Sequence, residues 1–218
     1  MKTIIALLIF SYTVIAQQTQ KPYEIPFPEG TSASQGNTIE LTVANTSSLA
    51  AEGIKVEATS IPAGMQFKEK TVTLPALKSK EEQTASFTFS VEKTAKVNKT
   101  DTLRFTITDK SGQRWTKEIA IKVAPPANYE LFQNYPNPFN PTTTIEYQLS
   151  AISNVSLKIY DILGREVANL VNEQQEPGGH QITFDARKFA SGMYIYRLIA
   201  TDDQNNHHVF QKKMLMVK

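Results

Sequence analysis

The sequence predicts an all-β protein: two consecutive β-sandwiches joined by a Pro-rich linker, behind a cleavable signal peptide. Segment after segment alternates apolar and polar residues at a period of two, the mark of half-buried strands. No apolar period of 3.6 residues runs long enough for a helix, and turn formers punctuate the chain at short spacing. Prolines clustered within 125–141 then divide these strand-like segments into two sets.

The chain opens Met1-Lys2-Thr3, continues apolar from Ile4 with only Ser11, Tyr12 and Thr13 intervening, and reaches Val14-Ile15-Ala16 before Gln17-Gln18. A positive start, a short apolar stretch and small or β-branched residues at the cleavage offsets describe a secretory signal peptide over 1–16, cut between Ala16 and Gln17. The run is shorter than the ~20 residues a membrane-spanning helix needs, so no transmembrane segment is expected in the mature chain. Removing 1–16 takes away Lys2 and no acid, which lowers the formal charge from +2 to +1. Residues 17–35 form a lead-in.

Composition narrows the function. The 218 residues are 40% hydrophobic and 9% aromatic, enough for a core but short for more than two domains. No Lys/Arg run accompanies the charge of +2, so no nucleic-acid partner is expected. Cysteine is absent, which excludes disulfides, thiolate metal sites, a Cys nucleophile and a lipid-anchoring cysteine.

The first domain is read over 36–124. Ile39, Leu41 and Val43 share one parity and Thr38, Glu40 and Thr42 the other, before Asn45-Thr46-Ser47-Ser48 stops the strand. The signature recurs at Ile54/Val56/Ala58, Val72/Leu74, Phe87/Phe89/Val91, Leu103/Phe105/Ile107 and Trp115/Ile119/Ile121/Val123. These strands predict an antiparallel sandwich whose outward charges, such as Lys55, Glu57, Arg104 and Lys117, form a solvated face.

Ala124-Pro125-Pro126-Ala127 ends the last strand, since proline cannot donate to a ladder. Within 125–141, Pro136, Pro138 and Pro141 forbid helix, while Leu131, Phe132, Tyr135 and Phe139 are too apolar for a solvated linker. They predict a rigid extended lead-in whose large side chains seat it against the second domain, 142–218. There, strands are read over Thr142–Leu149, Val155–Tyr160, Arg165–Val171, Gln181–Asp185, Met193–Ala200 and His208–Val217, with Asp161 and Gly164 shaping a tight hairpin.

Chemistry-bearing constellations are missing. The histidines are His180, His207 and His208, all in the second half, and adjacent residues on a strand point to opposite faces, so the pair cannot easily share a metal. Glu81-Glu82 and Asp202-Asp203 lie in turns and do not form the opposed acid and base of a glycosidase. No Gly-x-Ser-x-Gly, phosphate loop, dinucleotide fingerprint or HExxH occurs. We therefore expect no enzyme activity, and no catalytic, cofactor-binding or metal-binding residues.

The segments LFQNYPNPFNPTTTIEYQL (131–149), VSLKIYDILGREVANLV (155–171), PGGHQITFDA (177–186), ASGMYIYRLIA (190–200) and KKMLMVK (212–218) together resemble the type A C-terminal sorting domain of the type IX secretion system. That family has an immunoglobulin-like fold related to the flagellar hook-capping protein. The resemblance implies a motif at Asn134, Tyr135, Pro136, Asn137, Pro138, Phe139, Asn140 and Pro141, with Asp161, Gly164, Ser191, Gly192 and Tyr194. It also implies a sorting signal at Lys212, Lys213, Met214, Leu215, Met216, Val217 and Lys218.

The implied partners are the outer-membrane translocon and its sortase-like peptidase, in a bacterium of the Bacteroidetes or related phyla. The chain would pass through the periplasm and end secreted or on the cell surface. Residues 36–124 resemble bacterial immunoglobulin-like adhesion modules and those associated with α-galactosidases, which implies a passenger that binds a protein or glycan. Asp101-Thr102-Leu103 fits a short O-glycosylation pattern of the same bacteria. The alternatives weighed are a structural hook-cap-like scaffold and an accessory domain of a carbohydrate-active system.

Overall fold

The computed structural model describes residues 3–9, 21–28 and 34–218. Every regular element among the described residues is a β-strand, as the alternation predicts. The chain divides into two compact units, Met1–Ala124 and Pro125–Lys218, each with its own core.

The first unit contains β1 (Thr3–Ile9), β2 (Tyr23–Ile25), β3 (Ser34–Ala44), β4 (Lys55–Ser60), β5 (Met65–Phe67), β6 (Thr71–Thr73), β7 (Glu82–Val91), β8 (Thr100–Thr108) and β9 (Arg114–Val123). One sheet has the order β1-β3-β7-β5 and the other β2-β9-β8-β4-β6. Ile39, Leu41 and Val43 of β3, Phe87 and Phe89 of β7, and Leu103, Phe105 and Ile107 of β8 fill the space between them. The Phe87 and Phe105 rings meet at 4.9 Å across that space, with Phe67 6.2 Å from each. Burying such side chains is the main stabilising term, at about 1.5–3 kcal/mol apiece.

Strands β3 to β9 pair antiparallel, as expected for 36–124, while the two strands that precede them run parallel to their neighbours. β1 lies parallel to β3, and β2 parallel to β9. Direction is imposed only where a tight turn joins neighbours, and these N-terminal strands reach their sheet edges with no hairpin to constrain them.

The second unit contains β10 (Glu130–Leu131), β11 (Thr142–Leu149), β12 (Ser153–Tyr160), β13 (Glu166–Gln175), β14 (Gly178–Asp185), β15 (Gly192–Asp202) and β16 (His207–Met216). A sheet of order β10-β11-β14 covers one of order β13-β12-β15-β16, and Ile145, Tyr147, Leu157, Ile159, Tyr196, Leu198, Met214 and Met216 are buried between them. β16 is thus the last strand of its sheet, at an edge.

Candidate sorting surface

The Pro-rich segment is folded onto the edge of β16. Tyr135 exchanges two backbone hydrogen bonds with Thr144 of β11, each 2.9 Å. Phe139 donates its N–H to the Leu215 carbonyl at 3.0 Å and accepts the Val217 N–H at 3.0 Å, and the Asn137 Oδ1 accepts the Leu215 N–H at 2.9 Å. Gln133 Nε2 donates to the Lys213 carbonyl at 2.9 Å. Residues 133–139 therefore satisfy the outward backbone groups of the C-terminal strand, which an uncovered edge would offer to any other chain. The peptide bonds preceding Pro136, Pro138 and Pro141 are cis.

A buried polar network fixes that segment. Asn134 is 2% exposed. Its N–H donates to the Tyr196 hydroxyl at 2.8 Å, and its Nδ2 donates to Thr143 Oγ1 at 2.9 Å and to the Pro136 carbonyl at 3.1 Å. The Tyr196 hydroxyl donates in turn to the Phe132 carbonyl at 2.9 Å. Burial pushes the Tyr196 phenol up to about 12 and does the same to Tyr147, whose hydroxyl donates to Gln175. A buried network of this kind stabilises only when every member has its partner.

The aromatics of the segment divide sharply. Leu131, Phe132 and Phe139 are buried, Phe139 with its ring 6.1 Å from that of Phe184. Tyr135 does not seat the lead-in: it is 82% exposed. Its backbone forms an antiparallel bridge with Thr144 of β11. Asn140 is exposed, and the Pro141 carbonyl accepts the Ala186 N–H at 2.9 Å.

The remaining residues of the motif are hairpin devices. Asp161 accepts the N–H groups of Leu163 and Arg165 and pairs with the Arg165 guanidinium at 2.7 Å, while Gly164 holds φ at +78°. Ser191 is exposed, Gly192 begins β15, and the Tyr194 hydroxyl donates to the Ala190 carbonyl at 2.8 Å. In the C-terminal strand Met214 and Met216 are buried, whereas Lys213, Leu215, Val217 and Lys218 are exposed and Lys212 is half-buried. Ala16 and Gln17 lie outside the described residues.

The histidines have local partners. His180 bonds the Glu176 carbonyl and stacks on Tyr147, His207 bonds Thr201, and His208 stacks on Tyr129 at 3.9 Å beside Asp202. Donors from the backbone and side chain of Asn206 hold the Asp202 carboxyl below the usual carboxylate range. Among the described residues no three His, Asp or Glu side chains converge as metal ligands, and no helix is long and apolar enough to cross a membrane.

Sequence reasoning missed Gln133, Thr143 and Tyr196 as parts of the arrangement. The signal for Tyr196 was present: a tyrosine on the inward parity of a strand needs a partner for its hydroxyl.

Residues 133–215 match the family described as "Secretion system C-terminal sorting domain", less than half of the chain. This bears out the resemblance to the type IX sorting domain, and with it an exported chain, secreted or at the cell surface. The sorting domain is itself non-catalytic, and it implies contact with the secretion machinery.

No curated protein matches the chain. Among solved structures, dimeric latent PorU from Porphyromonas gingivalis is similar at 15% identity and a TM-score of 0.34, over 92% of this chain and 19% of that one. A tetra-tandem repeat from the extending region of a large adhesion protein is similar at 13% identity and a TM-score of 0.33, over 83% and 49%. CopC from Methylosinus trichosporium OB3b is similar at 14% and 0.30, over 41% and 93%. Likenesses this distant carry no functional assignment.

Proposed function

We propose that the protein is a secreted, non-catalytic carrier of one immunoglobulin-like binding or adhesion module, residues 36–124. The sorting domain at 142–218, with the lead-in 125–141, delivers it across the outer membrane through the type IX translocon after cleavage between Ala16 and Gln17. A sortase-like peptidase of the same system is the second partner, and a protein or glycan is the ligand of the module. The observation that carries this reading is the family match over 133–215, which takes in the Pro-rich segment and the C-terminal strand as far as Leu215.

The test is deletion of Lys212–Lys218 from the full chain in a bacterium with a type IX system. The intact protein is expected on the surface or in the medium. The truncated one is expected in the periplasm with its first unit folded. Recovery of the truncated protein outside the cell at the normal level overturns the reading.

A further inference from the structure

The two sheets of the second unit end on β10, β14, β13 and β16. β16 lies under residues 133–139, and β10 offers only two residues. β13 is broken by register shifts against β12 and carries Glu166 and Glu173. Cover, shortness, bulges and charge are the usual devices that keep a sheet edge from pairing. β14 has none of them. It runs in unbroken register with β11, from Gly178 opposite Leu149 to Asp185 opposite Thr142, and no Asp, Glu, Lys or Arg stands between Gly178 and Phe184.

The ladder shows which backbone groups of β14 point away from β11. The Ala186 N–H donates to the Pro141 carbonyl at 2.9 Å, while on β11 the N–H and carbonyl of Thr144 both go to Tyr135. In an antiparallel pair, residues that bond across the ladder alternate with residues that bond outward. His180, Ile182 and Phe184 therefore bond β11, and Gly179, Gln181, Thr183 and Asp185 direct their N–H and carbonyl groups outward. No backbone partner meets those groups among the described residues. Another extended chain is the ligand that offers alternating N–H and C=O at matching spacing.

A second copy of this chain fits the edge. Antiparallel pairing about a two-fold axis at Ile182 sets Gln181 opposite Thr183 and Gly179 opposite Asp185, so every outward group is matched. Ile182, half-buried and packed against the second core, then meets its own copy as a β-branched pair. Two-fold pairing sets like against like, so an ionised residue near the axis would repel itself, and the stretch from Gly178 to Phe184 avoids this. Glu176 precedes β14 and Lys188 follows it, both exposed and without an ion partner among the described residues. The antiparallel direction brings the acidic end of one copy towards the basic end of the other.

We propose that β14 is a dimerisation edge, on which two copies pair β14 to β14 and join their β10-β11-β14 sheets into one. This goes beyond the sorting reading and does not depend on it.

The test uses residues 17–218 as one chain. The wild type is expected to dimerise with a dissociation constant in the micromolar range. Its Gln181 and Thr183 amides should exchange slowly when concentrated and fast on dilution, while the Ile182 amide, bonded to β11, stays protected throughout. Gln181→Lys with Thr183→Lys, and Gln181→Glu with Thr183→Glu, change exposed side chains and should leave the melting temperature of the monomer unchanged. Each sets like charges opposite one another, so each alone should dimerise at least about tenfold more weakly. Mixed in equal amounts they should pair with each other, because every lysine then faces a glutamate. A wild type that is monomeric at about 0.1 mM overturns the proposal, as does dimerisation that both charge variants leave unchanged. If either variant melts lower, the wild-type amides decide: Gln181 and Thr183 exchange that does not vary with concentration overturns the edge. Protection of those amides only on adding outer-membrane extract would assign the edge to a strand of another protein and overturn self-pairing.

Discussion

The Asn137 side-chain oxygen accepts the backbone N–H of Leu215 at 2.9 Å, across a sequence separation of 78 residues. One amide of the Pro-rich segment thereby substitutes for a missing neighbouring strand on the last sheet edge of the chain. Asn137→Ala is expected to cost about 0.5–1.5 kcal/mol, the ordinary net value of such a bond. Hydrogen exchange at the Leu215 amide should accelerate, while the Val217 amide, held by the Phe139 carbonyl, serves as the internal reference. Asn137→Asp keeps an acceptor and should leave Leu215 protected. Unchanged Leu215 exchange in the alanine variant would show that the bond is not made in solution.

Tyr147 and Tyr196 give the protein an alkaline limit. Burial raises each phenol from 10.0 to about 12 in the folded chain, because the charged form is the one burial penalises. Their contribution to stability is therefore fully present below the unfolded value of 10.0 and is lost as pH rises through about 12. Urea midpoints measured across this window should be flat up to about pH 10 and then fall. Tyr196→Phe should shrink that fall and also lower stability at neutral pH by about 1–3 kcal/mol, since the Asn134 N–H and the Phe132 carbonyl lose their buried partner. A midpoint that fell equally steeply in wild type and variant would remove Tyr196 from this account.

The strands facing a core on one side were legible because a period of two survives over six or more residues, as in Ile39-Leu41-Val43 and Leu103-Phe105-Ile107. β2, β5 and β10 span only two or three residues and give no period to read. The prolines at 136, 138 and 141 showed that the segment is extended, but not that it lies against Leu215, because nothing local encodes a partner 78 positions away. Tyr135 and Phe139 read alike as large apolar groups, and the structure exposes one and buries the other. Their separation of four residues in a turning, proline-broken segment has no fixed parity from which to tell them apart.

Among the described glycines of the first unit, Gly64 is the one where a side chain fits least. Its φ is +82°, and a Cβ there would stand 2.6 Å from the Ala95 Cα and 2.7 Å from its Cβ. The same loop is tied by the Glu92 N–H donating to the Gly64 carbonyl at 2.8 Å. Gly64→Ala is therefore expected to cost about 2–5 kcal/mol, positive-φ strain and overpacking together. Gly112→Ala, at φ +85° with open space around it, meets the backbone strain alone, about 1–2 kcal/mol. Fluorescence of Trp115, the single tryptophan, reports the unfolding of this unit. Equal shifts in the two variants would contradict the predicted contact with Ala95.

Phe139 and Tyr135 offer the cleanest separation of packing from display within the Pro-rich segment. Phe139 is 1% exposed in the second core, and its backbone bonds the Leu215 carbonyl and the Val217 N–H. Phe139→Ala removes a fully buried ring and loosens the clamp it anchors, for an expected loss of about 3–5 kcal/mol. Tyr135→Ala removes a ring that is 82% exposed and leaves its backbone pairing with Thr144 intact, so the expected change lies within about 0.5 kcal/mol. Because Trp115 belongs to the other unit, its fluorescence transition should not move in either variant. The transition followed through far-ultraviolet circular dichroism and tyrosine signals should move only for Phe139→Ala. Comparable losses in both variants would mean that the Tyr135 ring packs in solution. A loss confined to the Trp115 transition would mean that Phe139 supports the first unit instead of clamping the C-terminal strand.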